Sequence, residues 1–338
     1  DYSSAEAPEK LRDVEQMVLP LACLSRGTAR VRLLCIARSA RAQFKSASRT
    51  LASIRSACSA IQKSGMLREV MQLALQLGNF INHGDSKKGA KAITVGSLMA
   101  LRDFKAGGMS SLHFLCASLL RKDQERDAAE ALARELRPAE RIAKLQVQTL
   151  QGTLRSFQRD LETVNAECQN FLQEYSSSER RSMDGSPSPH GKEEEDEDRD
   201  ALEEAEAAAE AAAVTEDCFS LREDADATRW VEDVMKVRGS ARKRLRCMRH
   251  VIDKLGKLLK EDVESTAEQA HSTLRFCGMP VPKAGKEVPV DLESLLGNIS
   301  EFTKVFKVHW EEVKKDLPHY QKLFGEHGGD SPSPERPN

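Results

Sequence analysis

Along most of the chain, apolar residues recur at intervals of three and four, the period that turns one stripe of an α-helix toward a core. The densest pattern lies between Leu67 and Leu120. Its first helix carries Leu67, Val70, Met71, Leu73, Ala74, Leu75 and Leu77 on more than one face, which predicts a helix enclosed by others. It runs into Gly78-Asn79-Phe80-Ile81-Asn82, where Asn and Gly suit a turn out of the helix. A loop with Gly84, Lys87, Lys88, Gly89 and Lys91 follows. A second helix is expected from about Val95, with Leu98, Leu101 and Phe104 on one face, and a third over Leu112 to Leu120 after a Gly-Gly break.

Further on, Val147, Leu150, Leu154, Phe157, Leu161, Val164, Cys168, Phe171 and Tyr175 alternate steps of three and four, a heptad seam on one long helix. Its partner is either a second copy or the stripe Leu245, Met248, Ile252, Leu255 and Leu259, which would give an antiparallel pair. A helix is expected from Trp230 through Val263 and a loop at Gly278-Met279-Pro280-Val281-Pro282. A last amphipathic helix carries Leu292, Leu295, Leu296, Ile299, Phe302, Phe306, Trp310 and Val313. Near the start, Leu11, Val14, Met17, Val18 and Leu21 predict a short helix over residues 8–24, opened by Pro8 and bent or ended by Pro20.

Composition agrees with an all-α protein. The 338 residues are 40% hydrophobic but only 5% aromatic, and β-branched runs are scarce, so Leu and Ala do the packing. A net charge of -2 hides segregation of the two signs. From Leu21 to Arg68 there are ten basic residues and no acidic one. This is either a cationic surface for an acidic partner or a solvated, arginine-rich helix face. Residues 176–227 are the reverse: Ser, Pro and Gly, then a Glu/Asp run, then an Ala/Glu run, the composition of a disordered insertion. Within it, Leu202 to Val214 is expected to form helix only transiently, its glutamates leaving no apolar face. This acidic segment could fold back on the ten-cation stretch. The tail after Gly325 is likewise expected to be disordered.

The order helix, Gly-Asn-x-x-Asn, glycine loop, helix and Leu-His-Phe-Leu resembles the formin homology 2 domain, the actin-assembling domain of formins. Gly78, Asn79, Phe80, Asn82, Gly84, Ala90, Leu98, Leu101, Asp103, Lys105, Leu112, His113, Phe114 and Leu115 carry the likeness. Weaker similarity runs from Pro8 to Val313, and the Lys105 to Met109 spacing points to the branch named formin homology 2 domain-containing proteins. Two departures stand out: Ala92-Ile93 replaces the family's usual Gly-Phe, and the loop after Lys105 is short.

The resemblance implies one elongated all-helical domain: residues 1–175 its first part, 176–227 an insertion, 228–324 its C-terminal helices and 325–338 a tail. It implies that Gly78, Asn79, Phe80 and Asn82 help form the surface that receives the partner subunit's N-terminal lasso. It implies that Lys105, with Arg102 beside it, contacts actin. A formin homodimer in the complete protein and a cytoplasmic, cytoskeletal location follow from the same likeness, as does an intramolecular partner for the heptad seam. Asp1 is not a natural start, so the sequence reads as a piece of a longer chain. The lasso, linker and knob isoleucine of the family have no counterpart, which implies a monomer or weak associate. The alternative from another class is a helical scaffold whose arginine-rich face binds microtubules or nucleic acid. Phe44 is the lone aromatic among those cations, which argues against base stacking.

No catalytic constellation is legible, and neither a cofactor nor a metal site is expected. GDSKKG has the glycine spacing of a phosphate loop, but Ala90 and Lys91 stand where Lys and Ser or Thr are needed, and the loop leaves a helix rather than a strand. His113 reads as a packing histidine, and with Cys116 offers two ligands where structural zinc needs about four. The eight cysteines have no metal-ligand spacing and read as reduced, buried thiols. No apolar run approaches the roughly 18 residues that span a bilayer.

Overall fold

The structure, a computed structural model, describes residues 12–14, 17, 26–84, 89–106, 109–183, 202–212, 234, 241–281 and 285–326. Most of the expected helix at 8–24, the remainder of the acidic insertion and the tail from 327 lie outside them. The helices are α1 (Gly27–Lys63), α2 (Gly65–His83), α3 (Ala100–Asp103), α4 (Ser111–Lys122), α5 (Ala128–Arg141), α6 (Val147–Met183), α7 (Ala241–Phe276), α8 (Asp291–Lys315) and α9 (Leu317–Glu326). A 3-10 turn, Val95–Met99, leads into α3, and residues 202–212 are also helical. Among the described residues the strands are β1 (Lys105–Ala106) and β2 (Met109–Ser110), an antiparallel pair of two residues each. The protein is all-α, as its pattern predicts.

The chain divides into two compact units, to each of which α1, α6 and α7 contribute a part. The first comprises residues 1–49 and 152–262. Here the heptad seam is answered within the chain: Leu161 on α6 lies 3.6 Å from where a Cβ on Gly256 of α7 would stand. Cys168 in turn feels the charge of Arg249. As one number rises the other falls, so α6 and α7 run antiparallel. Leu154, Phe157, Leu161, Val164, Cys168 and Phe171 are all buried, as are Met248, Ile252, Leu255 and Leu259, while Leu245 is half-buried. The first half of α1 joins them: Arg26 pairs with Glu167 and Glu174, Arg30 lies over the Phe171 ring, and Ser48 donates to Asp262.

The segment 202–212 lies in the same unit and is not apolar-free. Ala207 and Ala211, one turn apart, are buried, and Glu203, Glu204, Glu206 and Glu210 ion-pair with Lys243, Arg246 and Arg249 of α7. Residues 202–212 of the acidic segment thus meet cations of α7.

The second unit comprises residues 50–151 and 263–338, and its hub is α8 rather than the Leu67 to Leu120 segment. All eight predicted apolar positions of α8 are at most 1% exposed. They pack against α4, α5 and the 3-10 turn, with Phe306 between Phe302 and Trp310 at centroid distances of 5.7 and 6.0 Å. The second half of α1 buries Leu51, Ile54, Cys58 and Ile61 as predicted, and Arg55 and Gln62 hydrogen-bond Thr266 and Thr273 of α7. Helix α7 ends in a Schellman motif on Gly278: its N–H bonds the Arg275 carbonyl, that of Met279 the Leu274 carbonyl, and φ is 70°.

Helix α2 is less enclosed than its pattern suggests. Met66, Leu67, Val70 and Ala74 are buried, while Met71, Leu73, Leu75 and Leu77 are half-buried. Ser64 separates it from α1, caps the Leu67 N–H, and donates to Glu135, whose carboxylate also accepts from the Met66 N–H. Helix α5, not singled out in the sequence, buries Ala128, Ala129, Ala131, Leu132, Leu136 and Ala139.

Candidate functional site

The end of α2 and the segment up to β2 hold the residues singled out by resemblance. Gly78 to Asn82 do not form the expected turn; α2 continues through His83 and stops at Gly84, whose φ of 64° is the left-handed cap. Inside the helix Asn79 is buried, and its amide clamps the loop: Nδ2 donates to the Ala90 carbonyl and Oδ1 accepts from the Ala90 N–H, both at 2.8 Å. Gly89 makes room for the clamp, since a Cβ there would stand 2.2 Å from the Asn79 side chain. A Cβ on Gly78 would meet nothing within 4 Å.

With the loop held on one side of α2, the other side faces water. Phe80 is 68% and Ile81 42% exposed, and Asn82 is exposed beside them. Leu73, Leu77 and Phe80 follow at helical spacing, so the half-buried leucines and the exposed ring form one apolar stripe. Residues 85–88 of the loop, including Lys87 and Lys88, lie outside the described residues.

The loop returns to Thr94, which caps the Ser97 N–H, and the 3-10 turn and α3 bury Val95, Leu98 and Leu101. Phe104 does not join them. It is 49% exposed in extended backbone, and its carbonyl accepts from the Ser111 N–H. Arg102 pairs with its neighbour Asp103 at 3.0 Å, and Lys105 is exposed at the start of β1, opposite Ser110. Arg102, Phe104 and Lys105 therefore form one exposed rim.

The ten cations between Leu21 and Arg68 are not all displayed to solvent in the same way. Arg41 is buried, Arg26 and Arg30 turn onto α6, Arg55 reaches Thr266, and Arg68 donates to the Gln62 carbonyl beside Phe276. Arg32, Arg38, Arg49 and Lys63 remain exposed.

His113 is not a plain packing residue. It hydrogen-bonds Ser110 and Glu312 and stands beside His309. Cys116, by contrast, is buried, and burial together with the Glu312 charge pushes its thiol far above the usual range. Sequence reasoning passed over His309 and Glu312. Of the described cysteines Cys58, Cys168, Cys247 and Cys277 are also buried, while Cys35 is exposed. Among the described residues no helix is long and apolar enough to cross a membrane.

The sequence profile described as Formin Homology 2 Domain matches residues 2–214. Formin-like protein 18 of Arabidopsis thaliana is 29% identical over 184 residues, 54% of this chain and 15% of the relative. Formin-like protein 16 of the same plant is 28% identical over 157 residues, 45% and 21% of the two lengths. Formin-like protein 5 of Oryza sativa subsp. japonica is 28% identical over 161 residues, 47% and 10%. The chain thus spans no more than about a fifth of these relatives. The profile covers more than half of the chain, including the Asn79 clamp and the α3 to α4 rim, and with its helical architecture the chain belongs to the formin homology 2 domain family.

Proposed function

We propose that this chain is an actin-binding domain that associates with filament barbed ends and promotes nucleation and elongation by binding alone, without covalent catalysis or a cofactor. One observation carries the reading. The Gly-Asn-x-x-Asn helix end is anchored by Asn79 yet leaves Phe80 and Ile81 in water, a large apolar ring displayed on a rigid element. In formins this motif lies where one subunit receives the N-terminal arm of the other, so Gly78, Asn79, Phe80 and Asn82 are assigned to docking in a homodimer of the complete protein. The segments 1–175 and 228–324 then belong to one domain, with 176–227 inserted into it. A cytoplasmic, cytoskeletal site of action follows from the same partner.

Lys105 and Arg102 are assigned to actin. Both are exposed, and a filament offers an acidic surface to such a rim. Lys105→Asp changes an exposed position and is expected to weaken barbed-end binding about tenfold, or ~1.4 kcal/mol. Pyrene-actin assembly and dilution-induced depolymerisation measure this. Unchanged affinity would remove Lys105 from the contact. The exposed Arg32, Arg38 and Arg49 favour one second reading, a scaffold on another acidic polymer such as microtubules or nucleic acid. Cosedimentation with microtubules but not with actin, at two salt concentrations, would replace the first reading by the second.

A further inference from the structure

His113 stands in the first turn of α4, while His309 and Glu312 are three residues apart near the end of α8, and helical spacing places those two on one face. The His113 and His309 rings are 4.5 Å apart between centroids, and Nε2 of His113 lies 2.9 Å from Oε2 of Glu312. One donor atom from each of the three residues falls within 4.8 Å of the others.

The far sides of both rings are held. Nδ1 of His309 is 2.9 Å from the Val305 carbonyl, which can only accept, so the proton sits on Nδ1 and Nε2 keeps its lone pair. Among the described residues nothing hydrogen-bonds to that nitrogen. Nδ1 of His113 is 2.7 Å from the Ser110 hydroxyl, which can accept its proton in the same manner. Two imidazoles fixed through Nδ1, with a carboxylate between chain segments far apart in sequence, are the donors and outer supports of a transition-metal site. Tyr320 of α9 stacks on His113 at 5.7 Å and covers one side, and the 51% exposed Glu312 leaves the other open to solvent.

We propose that His113, His309 and Glu312 bind one divalent transition-metal ion of the zinc class, with water completing the coordination, and that the ion cross-links α4 to α8. Two nitrogens and one carboxylate select zinc-like ions over calcium or magnesium, which prefer all-oxygen sites. Tetrahedral donors at ~2.0–2.1 Å from zinc stand about 3.4 Å apart, so on binding the 2.9 Å contact between His113 and Glu312 opens slightly while any separation nearer the 4.8 Å limit closes. When the ion enters, the His113 proton shifts from Nε2 to Nδ1, where the Ser110 oxygen accepts a hydrogen bond from it and the hydroxyl turns its own proton away, and Glu312 exchanges its hydrogen bond for a metal bond without net proton release.

The test titrates the whole chain with Zn(II) by calorimetry and with Co(II) by visible absorption. The expected result is one equivalent bound, Co(II) d–d bands without a thiolate charge-transfer band, and a melting temperature raised by Zn(II). Glu312→Gln, at an exposed position, keeps a hydrogen-bond acceptor for His113 and should weaken Zn(II) binding at least about tenfold. His309→Gln should do the same and abolish the thermal shift. Undiminished Zn(II) affinity in either variant, a thiolate charge-transfer band, or no saturable binding would overturn the site.

Discussion

The helix at 202–212 and helix α8 are held by opposite means. The first buries two methyl groups, those of Ala207 and Ala211, and sets four glutamates against Lys243, Arg246 and Arg249. The second buries eight large apolar side chains between α4 and α5. Apolar burial stabilises by about 1.5–3 kcal/mol for each large side chain and is not screened by salt. Ion pairs near a surface add little apiece and are screened. The α8 contacts should therefore not be screened by salt, whereas the contacts of 202–212, whose cations Lys243 and Arg246 are buried but whose carboxylates are partly exposed, are expected to weaken as salt rises.

Removing a ring from the apolar side gives the largest effect. Phe306 is fully buried between Phe302 and Trp310, so Phe306→Ala leaves a cavity and is expected to cost about 3–5 kcal/mol. In urea denaturation the midpoint should fall with an unchanged slope. A loss below ~1 kcal/mol would mean that α8 is not the hub of its unit.

Salt should act only on the other element. At ~1 M salt the Debye length falls to about 3 Å, so the amides of residues 204–212 should exchange hydrogen markedly faster than at low salt, and those of α8 should not. Glu204→Gln, which removes the carboxylate shared by Arg246 and Arg249, should give the same release at low salt. Equal protection of 204–212 under both conditions would show that the two alanines suffice.

The same contrast explains what was legible in the sequence. The α6 and α8 stripes could be named residue by residue, because Leu, Phe, Ile and Val at a three-four period have no other use for that spacing. The faces of α5 and of 202–212 were not, because alanine signals helix without signalling which side is covered. Gly78 to Asn82 were read as the turn itself, but Asn79 spends its amide on Ala90, eleven residues on, and Gly84 ends the helix. His113 was visible, but its partners come from a helix 199 residues away. The local sign was the His309-x-x-Glu312 spacing, which sets two donors on one helical face.

Between the two extremes lies Asp127, a charged group at the border of the apolar unit. It caps α5 by accepting from the Glu130 N–H at 3.0 Å and meets Lys314 of α8 at 3.1 Å. Burial opposes its ionisation, but the Glu130 N–H and the Lys314 ammonium outweigh this and hold its carboxyl below the usual range. A carboxyl depressed in the folded state stabilises fully above its unfolded value of about 3.9, and that stability is lost as pH falls through the folded value. Asp127→Asn keeps a capping acceptor and cannot titrate. Wild type should exceed this variant by a few tenths to about 1 kcal/mol at neutral pH, the range for a carboxylate at a helix N-terminus. The gap should close below pH ~4. A difference that persisted into acid would assign the contribution to the shape of the cap rather than to its charge, and would place this contact with the apolar side of the comparison.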